Sequence, residues 1–227
     1  MKIGAEDRKR IITIIRKVGS KKNPKKVLLS FSQLYAMLGA DEIRLCKGLL
    51  KLDPRRYGFR GRYLGFQAPP RSMKAVRGQT YRIRNIQKKI PVQYLPSEVY
   101  AAWVSLNRAM KKEIGRDILV ESGYRSPAYQ LFNVLFHLAM YNWNVRKTLR
   151  RVAMPGYSEH GNKHTALDFI TVRGVPQEDN LFAFAHTPEY RWLTKNASRF
   201  GFILSYPKGN KHGIMFEPWH WRYVGVK

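Results

Sequence analysis

The stretch ILVESGYRSP, residues 118–127, places a short strand directly before the start of a helix. Ile118–Glu121 has the apolar character and the length of a strand. Ser126 and Pro127 are typical of a helix start, since serine caps free N–H groups and proline fits the first turn. The following residues, Leu131–Trp143, are apolar almost all round, which is typical of a buried helix. The stretch therefore predicts a strand followed at once by a helix.

Helices and short strands continue on both sides of this stretch. Upstream, apolar residues at helical spacing predict a helix that Ser97 caps and that ends near Gly115. Downstream, the patterns predict three strands and one amphipathic helix: strands Ala166–Val172, Phe202–Tyr206 and Met215–Val224, and helix Pro188–Phe200. Because strands and helices do not alternate regularly, the pattern favours an α+β fold over a doubly wound parallel sheet.

The composition is that of a globular chain of moderate size. The chain has 227 residues, of which 44% are hydrophobic and 13% aromatic, enough for one core or one core with a small appendage. This excludes a disordered tail and a disulfide-stapled miniprotein, and the lone Cys46 cannot form an internal disulfide. No run approaches the roughly 18 apolar residues of a spanning helix, and Ile11–Ile15 is shorter than a signal-peptide core. We therefore expect a soluble protein without an ordinary export signal.

The positive charge is concentrated in the first part of the chain. The 42 lysines and arginines exceed the 15 acidic residues by 27. Residues 1–90 carry a net charge of +19, and residues 91–227 carry +8. We therefore distinguish a basic N-terminal region, 1–90, from a second domain, 91–227. Such a basic block predicts attraction to a polyanion, with nucleic acid, a membrane surface and an anionic cell-wall polymer all open.

The basic region is predicted to be mainly helical, with irregular parts. Glu6–Val18 and Ser30–Leu50 carry apolar residues at mixed helical spacing. Pro54–Gly78 is rich in glycine, proline and arginine and predicts a linker or an irregular surface segment. From its pattern alone, the region either forms a domain of its own or wraps around the second one.

Four side chains in the last third of the chain have the chemistry of a metal site. His160, Asp168 and His220 supply two imidazoles and one carboxylate, a common three-ligand set for a catalytic zinc that leaves a fourth position for water. Glu217 is then free to act as the base. Pro218 interrupts the strand, so that Glu217 and His220 can turn to the same side. From spacing alone, a buried histidine that is satisfied by a carboxylate explains the same residues.

Three strings resemble the VanY-type D-alanyl-D-alanine carboxypeptidases of the LAS group of zinc peptidases (peptidase family M15). They are ESGYRSP followed by a glutamine (121–130), PGYSEH followed by ALDF (155–169), and FGFILSYP followed by EPWHWRYVG (200–225). The strings occur in the family's order across about residues 90–227. The resemblance implies an α+β fold with a small antiparallel sheet and flanking helices, as in the Hedgehog signalling domain and the DD-peptidases.

The resemblance also implies the roles of the metal-site residues. One zinc ion would be held by His160, Asp168 and His220, and Glu217 would be the catalytic base that activates the zinc-bound water. One departure concerns the loop before Asp168: the family usually has six residues there with a central glycine, whereas this chain has seven and places His164 near the glycine position. His164 is therefore an alternative ligand, although the string around His160 reproduces the family's.

The resemblance assigns five residues to the substrate. Arg125 faces the active site in the family, and its rigid, permanently charged guanidinium can bind the terminal carboxylate or polarise the scissile carbonyl. Gln130 and Ser158 are expected to help hold the terminal residue. Tyr157 and Trp219 are expected to shape the pocket, although an aromatic side chain next to a metal ligand is as often packing as contact.

The resulting prediction is a zinc-dependent carboxypeptidase that removes a terminal D-amino acid from peptidoglycan stem peptides or their precursors, with D,D- or L,D-specificity. Among enzymes, the alternative is a phage-type endolysin that cuts within the stem peptide. From another class, the alternative is a polyanion-binding module, in which residues 1–90 dock teichoic acid or nucleic acid and the remainder is a non-catalytic scaffold. We expect a bacterial or phage monomer that acts at the cell wall, and that is cytoplasmic or released by a non-standard route.

Overall fold

The computed structural model describes residues 3–19, 25–162, 165–174 and 183–226. Within these residues the chain forms seven α-helices and eight short strands. The helices are α1 (Ala5–Gly19), α2 (Phe31–Tyr35), α3 (Ala40–Leu50), α4 (Ser97–Ile114), α5 (Pro127–Met140), α6 (Val145–Leu149) and α7 (Pro188–Asn196). The strands are β1 (Met73–Val76), β2 (Thr80–Ile83), β3 (Ile86–Lys89), β4 (Gln93–Pro96), β5 (Ile118–Ser122), β6 (Ala166–Thr171), β7 (Phe202–Leu204) and β8 (His220–Tyr223).

The described strands pair into three small sheets, and every pair is antiparallel. β1 pairs with β4, and β2 pairs with β3. The largest sheet has four strands in the order β5-β6-β8-β7, so β6 is hydrogen-bonded along both edges. This arrangement of helices with small antiparallel sheets confirms the predicted α+β fold.

The chain divides into two compact units, each built from segments that are separated in sequence. The first unit comprises Met1–Ala68, Arg125–Gly161 and Asn210–Met215. The second comprises Pro69–Tyr124, Asn162–Gly209 and Phe216–Lys227. Charge and the family strings predict a functional division of the chain at residue 90, and this division stays a prediction.

Each unit has an apolar core of its own. In the first unit, α1, α3 and α5 contribute fully buried aliphatic side chains that include Ile11, Ile14, Leu49, Leu131 and Leu135. In the second unit, α4 and the four-stranded sheet share a core that includes Leu106, Met110, Val120, Phe169 and Phe202. Burial of such side chains is the main favourable contribution to the stability of each unit.

Two helices near the centre of the chain differ from their predicted limits. Ser97 is the first residue of α4 and not its cap; the Ser97 hydroxyl instead lies 2.6 Å from Ser72 Oγ. The predicted end of α4 is confirmed, since Gly115 follows it with a left-handed φ of 65°. α5 ends at Met140 and not at residue 143, because Asn142 and Trp143 have φ values of 52° and 64° that cannot continue a helix.

The predicted burial of α5 on all sides is also wrong. Phe136 and Met140 are each 44% exposed, whereas the opposite side of the helix faces the core of the first unit. An almost continuous apolar run cannot show which side of a helix is covered, because that depends on which elements pack against it.

Other predicted segments are shorter or more divided than expected. The segment 30–50 forms two helices, α2 and α3, and Pro188–Phe200 forms α7 followed by a 3₁₀ turn at Ala197–Phe200. The segment 54–78 is not wholly irregular, since it contains a 3₁₀ turn at Pro54–Tyr57 and strand β1. Of the strand predicted over residues 215–224, only β8 is strand.

Among the described residues, no helix combines the length and the apolar composition that are needed to cross a membrane.

Candidate metal centre

Asp168 and His220 face each other across two neighbouring strands. They are direct partners in the antiparallel pairing of β6 with β8, and side chains of directly opposed residues lie on the same face of a sheet. Leu167 and Phe169, on either side of Asp168, are fully buried in the core, so strand alternation turns Asp168 to the other face. His220 Nδ1 lies 2.9 Å from Asp168 Oδ1. The strand register therefore brings these two donor groups together.

A turn at residues 217–220 places the Glu217 carboxylate close to His220. The His220 N–H donates to the Glu217 carbonyl over 3.1 Å, and Pro218 occupies the second position of this four-residue turn, which its fixed φ suits. The Glu217 N–H donates to the Tyr206 carbonyl over 3.1 Å, and Trp221 Nε1 donates to the Pro218 carbonyl over 2.9 Å. Glu217 Oε2 lies 3.7 Å from His220 Nδ1. Glu217 and His220 thus face the same side, as predicted, but Pro218 lies in a turn before β8 and does not interrupt a strand.

The ring of Tyr206 packs against the imidazole of His220. Their centroids are 4.8 Å apart with an interplanar angle of 38°, and both side chains are buried. Such a contact restricts the rotation of the imidazole. Tyr206 lies in the string at 200–207 that carries part of the resemblance, but nothing local in the sequence indicates its contact with a residue fourteen positions later.

His160 is held in a 3₁₀ turn at Glu159–Gly161 and is 1% exposed. The N–H of His160 donates to Ser158 Oγ over 3.3 Å, and its carbonyl accepts the N–H of Arg125 over 3.0 Å. A Cβ atom at Gly161 would lie 3.1 Å from the Arg125 carbonyl oxygen, so the two backbone segments approach each other closely here. Backbone contacts thus join the string that contains His160 to the string that contains Arg125.

The three predicted ligands form a candidate metal-binding group. One ligand atom from each of His160, Asp168 and His220 lies within 4.8 Å of the other two. Two imidazoles and one carboxylate, all largely shielded from solvent, fit the ligand chemistry of a catalytic zinc. The alternative ligand His164 lies outside the described residues.

The residues that the resemblance assigns to the substrate are all described. Arg125 is half-buried, Gln130 is 1% exposed and its Nε2 donates to the Ala153 carbonyl over 2.7 Å, and Ser158 is buried. The ring of Tyr157 packs edge-on against Phe59 and Tyr63, and Trp219 is buried in the core of the second unit. Their roles toward the substrate stay predictions.

Tyr63 was not singled out from the sequence, although it contacts a predicted site residue. Its ring centroid lies 5.0 Å from that of Tyr157, and 52% of Tyr63 is exposed. The N–H of Leu64 donates to the Gly156 carbonyl over 2.7 Å and holds the two segments together. Tyr63 belongs to a stretch rich in glycine and arginine with no periodic pattern, so no local signal could have identified it.

The chain is similar to known carboxypeptidases over most of its second part. The family model described as VanY, D-alanyl-D-alanine carboxypeptidase, matches residues 92–226. YodJ of Bacillus subtilis (strain 168), a provisionally named carboxypeptidase, is 39% identical over 146 residues, which are 63% of this chain and 51% of that protein. The chain thus spans about half the length of this relative, at 51%.

Two solved structures are similar in fold and in sequence. The LdcB LD-carboxypeptidase, whose structure is described as revealing the molecular basis of peptidoglycan recognition, is 28% identical, with a TM-score of 0.52 over 73% of this chain and 76% of that one. VanYB in complex with D-alanine-D-alanine is 26% identical, with a TM-score of 0.50 over 73% of this chain and 86% of that one. Because the family model covers more than half of its residues, the chain belongs to the VanY family of D-alanyl-D-alanine carboxypeptidases.

Proposed function

We propose that the protein is a zinc-dependent carboxypeptidase that removes the terminal D-amino acid from peptidoglycan stem peptides. The observation that carries the proposal is the grouping of His160, Asp168 and His220 within 4.8 Å, with the Glu217 carboxylate 3.7 Å from His220. The similarity to LdcB and to VanYB with its bound dipeptide supports the class of substrate.

His160, Asp168 and His220 would hold the metal, because they supply the donor types that zinc prefers and leave a coordination position for a reactant. A bound zinc ion supplies a Lewis acid that lowers the pKa of water to about 7 and polarises the scissile carbonyl. The packing of Tyr206 on His220 and the strand pairing of Asp168 keep these ligands in place without a large reorganisation.

Glu217 would act as general base and then as general acid. Its backbone is fixed by hydrogen bonds to Tyr206 and His220, so its carboxylate is positioned before substrate binds. In the first step the carboxylate takes a proton from the water that attacks the carbonyl carbon, and in the second it returns this proton to the leaving amine as the C–N bond breaks. Glu217 thereby carries the proton from the attacking water to the amine that leaves.

Arg125 would bind the carboxylate of the substrate's terminal residue. Arg125 is half-buried, and the carbonyl of His160 fixes its backbone. A guanidinium in a partly shielded site forms strong, charge-assisted hydrogen bonds with a carboxylate. This contact would distinguish a chain terminus from an internal peptide bond and favours exopeptidase over endopeptidase activity.

The test combines zinc analysis with product mass on defined stem peptides. Wild-type protein is expected to contain about one zinc ion per chain and to release a single D-alanine from a pentapeptide, a tetrapeptide, or both, which separates D,D- from L,D-specificity. Glu217→Gln is expected to keep the zinc and to lose about 10²–10⁴-fold in kcat, the usual contribution of general acid–base catalysis. Glu98→Gln, which removes an exposed carboxylate on α4, serves as the control and is expected to leave the rate unchanged.

Three results would contradict the proposal. Zinc-loaded wild-type protein that releases no D-amino acid from either peptide would exclude a carboxypeptidase. Fragments that correspond to cleavage inside the stem would favour the endopeptidase. An unchanged kcat in Glu217→Gln would remove Glu217 from the chemistry.

A further inference from the structure

Of the described residues that line a pocket in the first unit, four carry a positive charge and none is acidic. Its volume is about 320 Å³, and Arg60, Arg146, Arg150 and Lys211 all contribute to its wall. These residues come from three separate segments of the chain, so their convergence is a property of the fold and not of a local basic run. None of the lining residues belongs to the candidate metal centre or was assigned to the substrate.

Two of the cations project from one side of helix α6. Arg146 lies in the first turn, and Arg150 follows the last helical residue, so a spacing of four residues places them on the same face. A Cβ atom at Gly58 would lie 3.8 Å from Arg146 Nη1, so the backbone of Gly58 passes next to this guanidinium. The helix dipole favours a cation at the carboxyl end of a helix, which accounts in part for the presence of Arg150. It does not account for the presence of Arg60 or Lys211 in the same pocket.

The other two cations are carried by two loops that are hydrogen-bonded to each other. The N–H of Arg60 donates to the His212 carbonyl over 2.8 Å. Gly213 has a φ of 69°, and a Cβ atom there would clash with the Gly58 carbonyl, so the close approach of the loops requires glycine. The Asn210 side chain accepts the N–H of His212 over 3.0 Å and donates to the Ile214 carbonyl over 3.0 Å, which fixes the turn that carries Lys211.

Among the residues that the structure describes, no carboxylate neutralises the charges in this pocket. Within the described part of the chain, none of the four cations forms an ion pair, whereas Arg10, Arg44 and Arg199 each pair with a carboxylate. Like charges that line one concave surface repel each other and concentrate counterions there. An anion bound among them would relieve the repulsion.

We propose that this pocket binds the phosphate groups of a phosphodiester polymer without bases, such as poly(glycerol phosphate). Three guanidinium groups and one ammonium group suit phosphate, because the planar fork of arginine can donate two hydrogen bonds to two of its oxygens. Single-stranded nucleic acids are held by aromatic side chains on which successive bases stack, and this lining has a single aromatic residue, Tyr57, among four cations. The composition of the wall therefore favours a polymer that is recognised through its phosphates alone.

The experiment compares two triple variants that remove the same charge. Arg146→Gln/Arg150→Gln/Lys211→Gln removes three cations of the pocket, and Lys74→Gln/Lys88→Gln/Lys195→Gln removes three exposed lysines that do not line it. Binding of a fluorescent glycerol-phosphate oligomer is measured by polarisation at 0.15 M salt, where long-range attraction is largely screened. We expect the pocket variant to lose at least 10-fold in affinity and the control less than 2-fold. Inorganic phosphate should displace the oligomer from wild-type protein at millimolar concentration.

Each other outcome would overturn the proposal. An equal loss of affinity in both variants would show that the overall charge of +27 attracts the polymer and that the pocket is not a specific binding site. No loss in either would exclude the pocket as a phosphate site. Tighter binding of a single-stranded DNA of equal charge, lost in the pocket variant alone, would identify a nucleic acid as the ligand instead. Thermal unfolding of both variants checks that the substituted side chains, all of them exposed, leave the fold intact.

Discussion

At the scale of single residues, the position of His160 decides how the contact between Asp168 and His220 is interpreted. A distance of 2.9 Å between His220 Nδ1 and Asp168 Oδ1 is what a buried histidine satisfied by a carboxylate would show. That explanation needs no further donor, yet a ligand atom of His160 lies within 4.8 Å of both groups. A second buried imidazole at this point favours a metal centre, because two histidines and a carboxylate form a ligand set and not a simple hydrogen-bonded pair.

Gly123→Ala is expected to destabilise the protein by about 1–3 kcal/mol, the usual cost of forcing extra volume into a packed site. A Cβ atom at this position would lie 2.8 Å from the Tyr94 carbonyl oxygen and 2.5 Å from Leu95 Cδ2. The same carbonyl accepts the N–H of Tyr124, so the backbone cannot move aside without losing that bond. Thermal or urea unfolding measures the effect.

Gly48→Ala is the matched control for this substitution. Gly48 lies inside helix α3, and a Cβ atom there would have no neighbour within 4 Å. Alanine should therefore stabilise the protein by about 0.5–1 kcal/mol through its better helix propensity. If Gly123→Ala leaves stability unchanged or raises it as Gly48→Ala does, the close approach of Tyr94 to Gly123 is not what constrains the position.

At the scale of secondary-structure elements, one carboxylate links two helices of the first unit. Glu42 lies in the first turn of α3, where its Oε2 accepts the N–H of Gly39 over 2.8 Å and the Lys17 ammonium of α1 over 2.7 Å. Burial alone would raise the pKa of Glu42, but the hydrogen bonds from Lys17 and Gly39 and the charge of Lys17 outweigh it and hold the pKa below its ordinary value. The ionised form is thus the one that stabilises the start of α3.

Glu42→Gln is expected to cost about 0.5–1 kcal/mol of unfolding free energy at pH 7, as for other residues that satisfy a helix start. Since the pKa of Glu42 is lowered by folding, its contribution is fully present above the pKa of the unfolded chain and is lost as the pH falls through the folded pKa. Wild type and variant should therefore converge in urea unfolding as the pH falls from about 5 to 3. Glu6→Gln, which removes an exposed carboxylate paired with Lys9, is the control and should change stability less at pH 7. A constant difference across this pH range would show that the charge of Glu42 is not responsible.

At the scale of the whole molecule, the N-terminal helices belong to the same core as the helix that follows the first family string. Ile11 and Ile14 of α1 and Leu131, Leu135 and Leu138 of α5 are all buried in the core of the first unit. The family model, by contrast, matches only from residue 92 onward. The apolar face of α5 therefore depends on residues that lie outside the matched region.

Deletion of residues 1–68 is expected to prevent stable folding of the first unit. The deletion would expose leucines of α5, each of which contributes about 1.5–3 kcal/mol through burial. We expect the remaining chain to aggregate or to lose cooperative thermal unfolding, measured by circular dichroism and size-exclusion chromatography beside the full chain. A monomeric fragment with an unchanged unfolding midpoint would show instead that the N-terminal region is an independent attachment.

Much of the fold and of the candidate site could be predicted because the signals are local. The strand at 118–122, the end of α4 at Gly115 and the start of α5 at Pro127 follow from residue type and spacing within a few positions. The family, likewise, is indicated by the order of the three strings and by the donor types at positions 160, 168 and 220. The exposed side of α5 and the contacts of Tyr63 and Tyr206 could not be predicted, because each depends on other segments of the chain. The early end of α5 was missed because the apolar run continues past the left-handed residues Asn142 and Trp143.

The sequence by itself determined the chemistry of this protein: which side chains can bind a metal or move a proton, where helices start and end, and how positive charge is distributed. Only the tertiary structure decided how these groups are combined. Asp168 meets His220 across 52 positions because β6 and β8 pair in one particular register, and a shift by one residue would turn one of the two side chains into the core. Similarly, four cations from three segments share one pocket only because two loops are hydrogen-bonded beside α6. Residue identity is local, whereas register and packing are set by the burial of the whole core.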